Sequence, residues 1–382
     1  MSRYEELGVD IKKKGIKIFK SVIENLYPDA FCVIQRDPSD HGMGLVTHTD
    51  SAGSKPIMAY INYKETGDAS WFSGLAQDAL AMNINDLVCV GANPVTFVDY
   101  VAFNTLLIDR VELLKALSNG FGSCLDVLNK EKTPVMFAGG ETADLPDLLR
   151  TLDVCVTMFG RMPLENAITG DGIRPGDVII GVRSGGKIRY EKGENSGIMS
   201  NGQTLARTAL MTPEYVGKYP EISHPTRGRY TGAFKYDDYV DELGSTVSDA
   251  LLSPTRLFSP LALKVLENHR GAVHGMVHNT GGGNTKCLRL GGGIHYVKDS
   301  MPDPDPIFEL IKSEADVSWE EMYQDFSVGV GFEFIVDPES VEDILSIIEG
   351  YGVGASVIGR CIKADDDNML EIKSSKGSFS YA

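Results

Sequence analysis

Hydrophobic and polar positions along the chain fall into two alternating sets of strands and helices. Residues 44–50, "GLVTHTD", alternate apolar and polar as a half-buried strand does. "SGLAQDALAMNINDLVCVG" (73–91) has helical length and a broad apolar face, and Gly91 and Pro94 supply its stop signals. "NPVTFVDYVAF" (93–103) is rich in valine and aromatics and predicts a strand. An amphipathic helix follows at 109–129. "TPVMFAGG" (133–140) predicts a buried strand ending at its glycine pair, and "TLDVCVTMFGRM" (151–162) a further strand.

The stretch 163–178, "PLENAITGDGIRPGDV", holds three glycines and two prolines and marks the domain boundary. Domains at 1–170 and 171–382 are expected. "VIIGV" (178–182) opens the second set. Residues 212–245, rich in tyrosine, glycine and proline with weak periodicity, predict an insertion. Beyond it come a helix (254–268), the strand "GMVHNT" (275–280), a triple glycine and another helix. The strand–helix–strand series "SVGVGFEFIV", "SVEDILSIIEGYG" and "ASVIGRC" ends the pattern. The expected class is α/β, each domain a mixed sheet packed with helices.

Composition narrows the function. A chain of 382 residues can form two cores. Its net charge of −17 argues against a nucleic-acid partner, though not against a nucleotide held by local donors and a metal ion. Six scattered cysteines show no zinc spacing and fit free thiols in a reducing compartment. The segment "MSRYEELGVDIKKKG" has no apolar core of a secretory signal, and no apolar run approaches the ~20 residues of a membrane span. A cytoplasmic protein with no membrane partner is expected.

Neither a P-loop nor a G-x-G-x-x-G fingerprint is present. The chemistry-bearing candidates are acidic residues at element ends: Asp50 in "HTDSAGSK", Asn85 and Asp86 in "NINDLV", and Glu141 in "FAGGETADLP". Such carboxylates suit Mg²⁺, a hard cation shared between one or two carboxylates, water and phosphates. Asp78 and Asp86 differ by about 80° around a helix, so one broad face could present both. Two glycine-bearing stretches complete the set. "HNTGGGNTKCLRL" places three glycines where backbone amides can approach phosphate, and "NSGIMSNGQTLARTALM" (195–211) puts small polar residues at a helix start. Singly, each is equally an ordinary cap, turn or surface charge.

Together the residues resemble a known family. "TDSAGSK", "MNINDLVCVGANPVTFVDYVA", "FAGGETADLP", "SGIMSNGQTLAR", "SPTRLFSPLALKVL", "HNTGGG" and "EEMYQDFSVGVGFEFIV" stand in the order and approximate spacing of aminoimidazole ribonucleotide synthetases, the phosphoribosylformylglycinamidine cyclo-ligases of purine synthesis. The resemblance spans roughly residues 4 to 362. It implies a two-domain fold, an N-terminal ATP-binding and dimerisation domain, a homodimer, and ATP-driven closure of formylglycinamidine ribonucleotide to aminoimidazole ribonucleotide. It also implies ATP contacts from Asp50, Lys55, Asn85, Asp86 and Glu141, with Asp50, Asp86 and Glu141 as catalytic and Mg²⁺-holding groups and K⁺ a further candidate ion. Ser200, Asn201, Gly202, Thr280, Gly281, Gly282 and Gly283 would face the substrate.

Three departures stand out. Met199 occupies the place of a histidine before S-N-G, Phe72 and Ser73 replace a His-Asp pair, and residues 27–44 lack the family's glycine-rich loop. Other ATP-using members of the superfamily, or a non-catalytic nucleotide-binding paralogue, are the alternative readings.

Overall fold

The computed structural model describes residues 3–10, 16–224, 226 and 229–382. Five strands form the first sheet: β1 (Gln35–Arg36), β2 (Met43–Ser51), β3 (Asn93–Phe103), β4 (Met136–Asp144) and β5 (Leu152–Pro163), in the order β1-β2-β5-β3-β4. All neighbours are antiparallel except β3 and β4. In β5 buried and half-buried positions alternate without a break, as a strand with one face on a core requires. Helices α1 (Lys55–Thr66), α2 (Ser73–Val88) and α3 (Arg110–Lys130) belong to this half.

The second sheet has seven strands: β6 (Val178–Arg183), β7 (Val273–His278), β8 (Ile294–Lys298), β9 (Val330–Val336), β10 (Ala355–Lys363), β11 (Met369–Ser374) and β12 (Gly377–Tyr381). Their order is β7-β9-β6-β10-β8-β11-β12. Helices α4 (Gln203–Leu210), α5 (Ser259–His269), α6 (Pro306–Ala315), α7 (Trp319–Asp325) and α8 (Val341–Glu349) accompany it. Every residue of β9 is buried, consistent with its near-continuous apolar run.

One expectation is corrected. Residues 133–140 are not a buried strand: β4 is a largely exposed edge strand that continues through the glycines to Asp144. The helix expected after the triple glycine is present as a 3₁₀ helix, Gly283–Arg289. The expected insertion carries a short helix, Glu214–Lys218, and packs onto the first half. Arg150 donates to the carbonyls of Ser223 and Pro220, Lys218 pairs with Glu65 at 2.6 Å, and Tyr60 bonds Glu221.

Helix α2 joins the two halves. It is buried from Leu75 almost without interruption to Val88, Gln77 excepted. A helix buried on all sides can keep polar residues only if each finds a partner. Asn83 Nδ2 donates to the Asp50 carbonyl (3.0 Å), tying α2 to β2. Asn85 Nδ2 donates to the Arg256 carbonyl (2.8 Å), and its Oδ1 accepts from the Phe258 and Ser259 amides at the head of α5. Asp78 accepts from the Lys55 ammonium (2.7 Å), the Ser200 hydroxyl (2.9 Å) and the Thr255 amide (2.7 Å). These side chains therefore stitch residues 195–260 to the N-terminal sheet.

Candidate active site

A cavity of about 460 Å³ lies where the two halves meet. From the first half it is lined by His48, Thr49, Asp50, Ser51, Gly53, Met82 and Asp86. The second half supplies Ser200, Asn201, Gly202, Thr280, Gly281, Gly282, Lys286, Arg289 and Asp325. Eight of the residues expected at the site thus share one space.

Asp86 is the electrostatic centre. His278 Nδ1 donates to its carboxylate at 2.6 Å, while His48 Nε2 and Lys286 Nζ each stand 3.7 Å away. Burial alone would raise this carboxyl, but Lys286, His278 and His48 hold it well below the usual carboxylate range. Asn83 accepts from His48 Nδ1 at 2.9 Å, and Asn85 Nδ2 lies 3.3 Å from His278 Nε2. With Nδ1 as donor and Nε2 as acceptor, His278 is a neutral imidazole. Burial pushes its pKa down and the Asp86 carboxylate opposes that. Lys286 also donates to the His278 carbonyl and to the Thr280 hydroxyl, and it stands 4.6 Å from the centre of the Phe31 ring. Phe31 belongs to residues 27–44, so the segment lacking a glycine-rich loop still reaches the cavity with an aromatic side chain.

The two small-residue turns are built for close approach. Gly197, Met199 and Gly202 all have positive φ, and Gly202 caps α4 without a side-chain bond of its own. A Cβ on Gly202 would lie 2.0 Å from the Phe326 ring, at φ +63. Gly202→Ala is therefore expected to displace the turn, costing about 1–2 kcal/mol of backbone strain before the clash is counted. A lowered melting temperature together with weaker substrate binding would check this; an unchanged KM and melting point would refute it. Ser200 spends its hydroxyl on Asp78 and Thr255, and Asn201 Nδ2 donates to the Asn279 carbonyl (3.1 Å). These side chains shape the turn, which lines the cavity. Met199 is 1% exposed and does not line the cavity. Its side chain fills core space instead of replacing a histidine at the reacting atoms.

Four expected residues lie elsewhere. Lys55 is fully buried on Asp78 and the Ser253 carbonyl. Asn85 is fully buried in the bonds just described. Gly283 has φ +48 and packs against the Phe326 and Tyr323 carbonyls, where no Cβ would fit. Glu141 sits on edge strand β4, in register with Tyr100, then Cys155, then Ser51. Three strand spacings put Glu141 roughly 14 Å from Ser51. Asp50, one residue out of that row, points to the opposite face. Asp50, Asp86 and Glu141 are therefore not assembled around one ion within a single chain. Among the described residues no group of three or more His, Cys, Asp or Glu side chains is placed to hold a metal. Asp78, expected to share a face with Asp86, is sealed in its own network.

Sequence reasoning missed His48, His278, Lys286, Arg289 and Asp325. Three of these flank the T-G-G-G turn in "HNTGGGNTKCLR", close enough for the turn itself to have marked them.

Comparison with known proteins completes the picture. Residues 28–162 match the family described as AIR synthase related protein, N-terminal domain, and residues 174–370 match its C-terminal domain. A phosphoribosylformylglycinamidine cyclo-ligase of Methanocaldococcus jannaschii is 30% identical over 98% of this chain and 95% of its own length. That of Methanothermobacter thermautotrophicus is 33% identical over 97% of each chain. Among solved structures, thiamine monophosphate kinase from Aquifex aeolicus superposes with a TM-score of 0.56 at 14% identity, covering 96% of this chain and 99% of that one. Hydrogenase maturation protein HypE in complex with ATP gives a TM-score of 0.56 at 16% identity, covering 88% of this chain and 84% of that one. At such identities the two structures establish a common fold and no more.

Proposed function

The chain belongs to the AIR synthase related family, and from that membership we propose that it is an ATP-dependent cyclo-ligase of purine synthesis. It converts formylglycinamidine ribonucleotide to aminoimidazole ribonucleotide with release of ADP and phosphate. The observation that carries this reading is the cavity at the join, where Asp50 and Asp86 from one half face the S-N-G and T-G-G turns of the other.

The residues fit the needs of the reaction. Phosphorylation of the substrate's amide oxygen makes that oxygen a leaving group, and the neighbouring nitrogen then closes the ring. Catalysis of this kind rests on positioning and charge neutralisation. Lys286 and Arg289, with the backbone of the glycine turns, would receive phosphate oxygens. Two hard carboxylates on one cavity wall suit Mg²⁺, which needs only one or two of them beside nucleotide phosphates. Asp50 and Asp86 would hold it, and when bound it neutralises charge on the triphosphate. Asp86, kept ionised by the Lys286 ammonium and the hydrogen bond from His278, is fitted to that task. Glu141 would act only where a second chain meets β4.

We further propose a homodimer formed through the N-terminal sheet. Val98, Tyr100, Met136 and Phe137 leave large apolar area exposed on β3 and edge strand β4, which favours such a contact. A cytoplasmic site of action accords with six free cysteines. No helix among the described residues is long and apolar enough to cross a membrane.

A substrate panel tests the proposal. Purified protein with Mg²⁺ and ATP should release ADP with formylglycinamidine ribonucleotide and not with thiamine monophosphate. The reverse preference, or binding of ATP without turnover on either, would overturn it.

A further inference from the structure

The buried carboxyl of Asp325 has no role in the account so far. It ends α7 and forms part of the cavity wall. Its residue is only 4% exposed, and its Oδ1 finds no hydrogen-bond partner among the described residues. That oxygen is sealed from solvent, so the carboxyl meets the cavity wall with its charged form penalised and no cation bound to it among the described residues. The next residue, Phe326, packs its ring over Gly202, so the end of α7 is held against the S-N-G turn. The place where a histidine would be expected, position 199, is turned into the core.

We propose that Asp325 is the general base of ring closure. This rests on the cyclo-ligase reading of the same cavity. As the ring nitrogen attacks the phosphorylated amide carbon, a C–N bond forms. The C–O bond to phosphate breaks with its electron pair and leaves as inorganic phosphate. The proton shed by the nitrogen passes to the Asp325 carboxylate and from there to water. No further reactant is needed.

The surroundings suit that exchange. Burial pushes the Asp325 carboxyl up to about 7, and the charges of Glu321 on its own helix and Glu5 on the N-terminal turn add to the rise. Tyr4 and Tyr381 also face it, from the N-terminal turn and from β12. Lys286, Arg289 and Asp86 share the cavity. A base poised near neutrality both accepts and returns a proton at working pH. It is needed as the carboxylate, so turnover should fall as pH drops through its pKa.

The test compares wild type, Asp325→Asn and Asp325→Glu with saturating ATP from about pH 5.5 to about pH 8.5, roughly 1.5 units on either side of neutrality. For wild type, kcat should show an acid limb with its midpoint near pH 7. D325N should lose about 100-fold or more in kcat, the scale of general-base catalysis, and lose the acid limb, with KM for ATP within about threefold. D325E should recover part of the activity with a displaced limb. If D325N keeps kcat within about threefold of wild type, or keeps the same acid limb, the assignment is overturned while the cyclo-ligase reading stands. If D325N does not fold, the D325E profile decides: a displaced limb supports the assignment and an unchanged one refutes it. Absence of product from wild type would overturn both readings at once.

Discussion

Asp86→Asn is expected to reduce kcat/KM by about 100-fold or more, roughly 2.7 kcal/mol of lost transition-state stabilisation, in a protein that still folds. The reason is the charge balance around that carboxylate. Lys286, His278 and His48 converge on it, and the group stays ionised although buried. Asparagine keeps the volume and can still accept from His278 Nδ1, so packing survives. The anion is lost, and with it one of the two carboxylates proposed to hold Mg²⁺. Lys286 would then stand unbalanced beside the site. A steady-state assay at varied Mg²⁺ reads the effect, which should include a higher Mg²⁺ requirement. A D86N enzyme within about fivefold of wild type at all Mg²⁺ concentrations would remove Asp86 from the machinery.

Asp78→Ala is expected to act on stability instead, by about 3–5 kcal/mol. Lys55 and Asp78 are both wholly enclosed, and removing the acid leaves a buried ammonium with only the Ser253 carbonyl. Burial already pushes the Lys55 pKa down against the pull of Asp78. Without the carboxylate the amine would become neutral or drag water into the core. The same change releases Ser200 and Thr255, so the S-N-G turn loses its anchor to α2. Thermal or denaturant unfolding measures the loss. Adding Lys55→Met to the alanine variant should restore part of it, because the uncompensated charge is then gone. A D78A protein that unfolds at the wild-type midpoint would show that this network does not tie the halves together.

Much of the fold was legible because its signals are local. The alternation in β5 and the valine- and aromatic-rich β3 mark strands in any context. The length and apolar face of α2 are equally plain, as is the turn-rich stretch before β6. Strand β4 was misjudged as buried because "VMFA" is apolar, and an edge strand that leaves Met136 and Phe137 exposed looks the same in sequence as a central one. The C-terminal hairpin of β11 and β12 mixes exposed and buried positions and includes serine and lysine, so its pairing depends on tertiary context.

At the site, motif matching found the turns and two of the cavity carboxylates, Asp50 and Asp86. It could not separate residues facing the ligand from residues holding the frame. Asn85 and Asp86 are adjacent in sequence, yet one binds the backbone around α5 and the other faces the cavity. Neighbours on a helix point about 100° apart, and only packing decides which direction is open. Asp325 lies inside the family-like stretch "EEMYQDFSVGVGFEFIV", but nothing in the stretch singles out its carboxyl, because burial is decided by tertiary packing.

The central claim is that this cavity phosphorylates an amide oxygen so that ring closure can expel it. Formylglycinamidine ribonucleotide labelled with ¹⁸O in the formyl amide, supplied with ATP and Mg²⁺, tests that directly. The account predicts aminoimidazole ribonucleotide, ADP and phosphate in equal amounts, with the label recovered in the phosphate. Unlabelled phosphate, or ATP consumption with no aminoimidazole product, would contradict it.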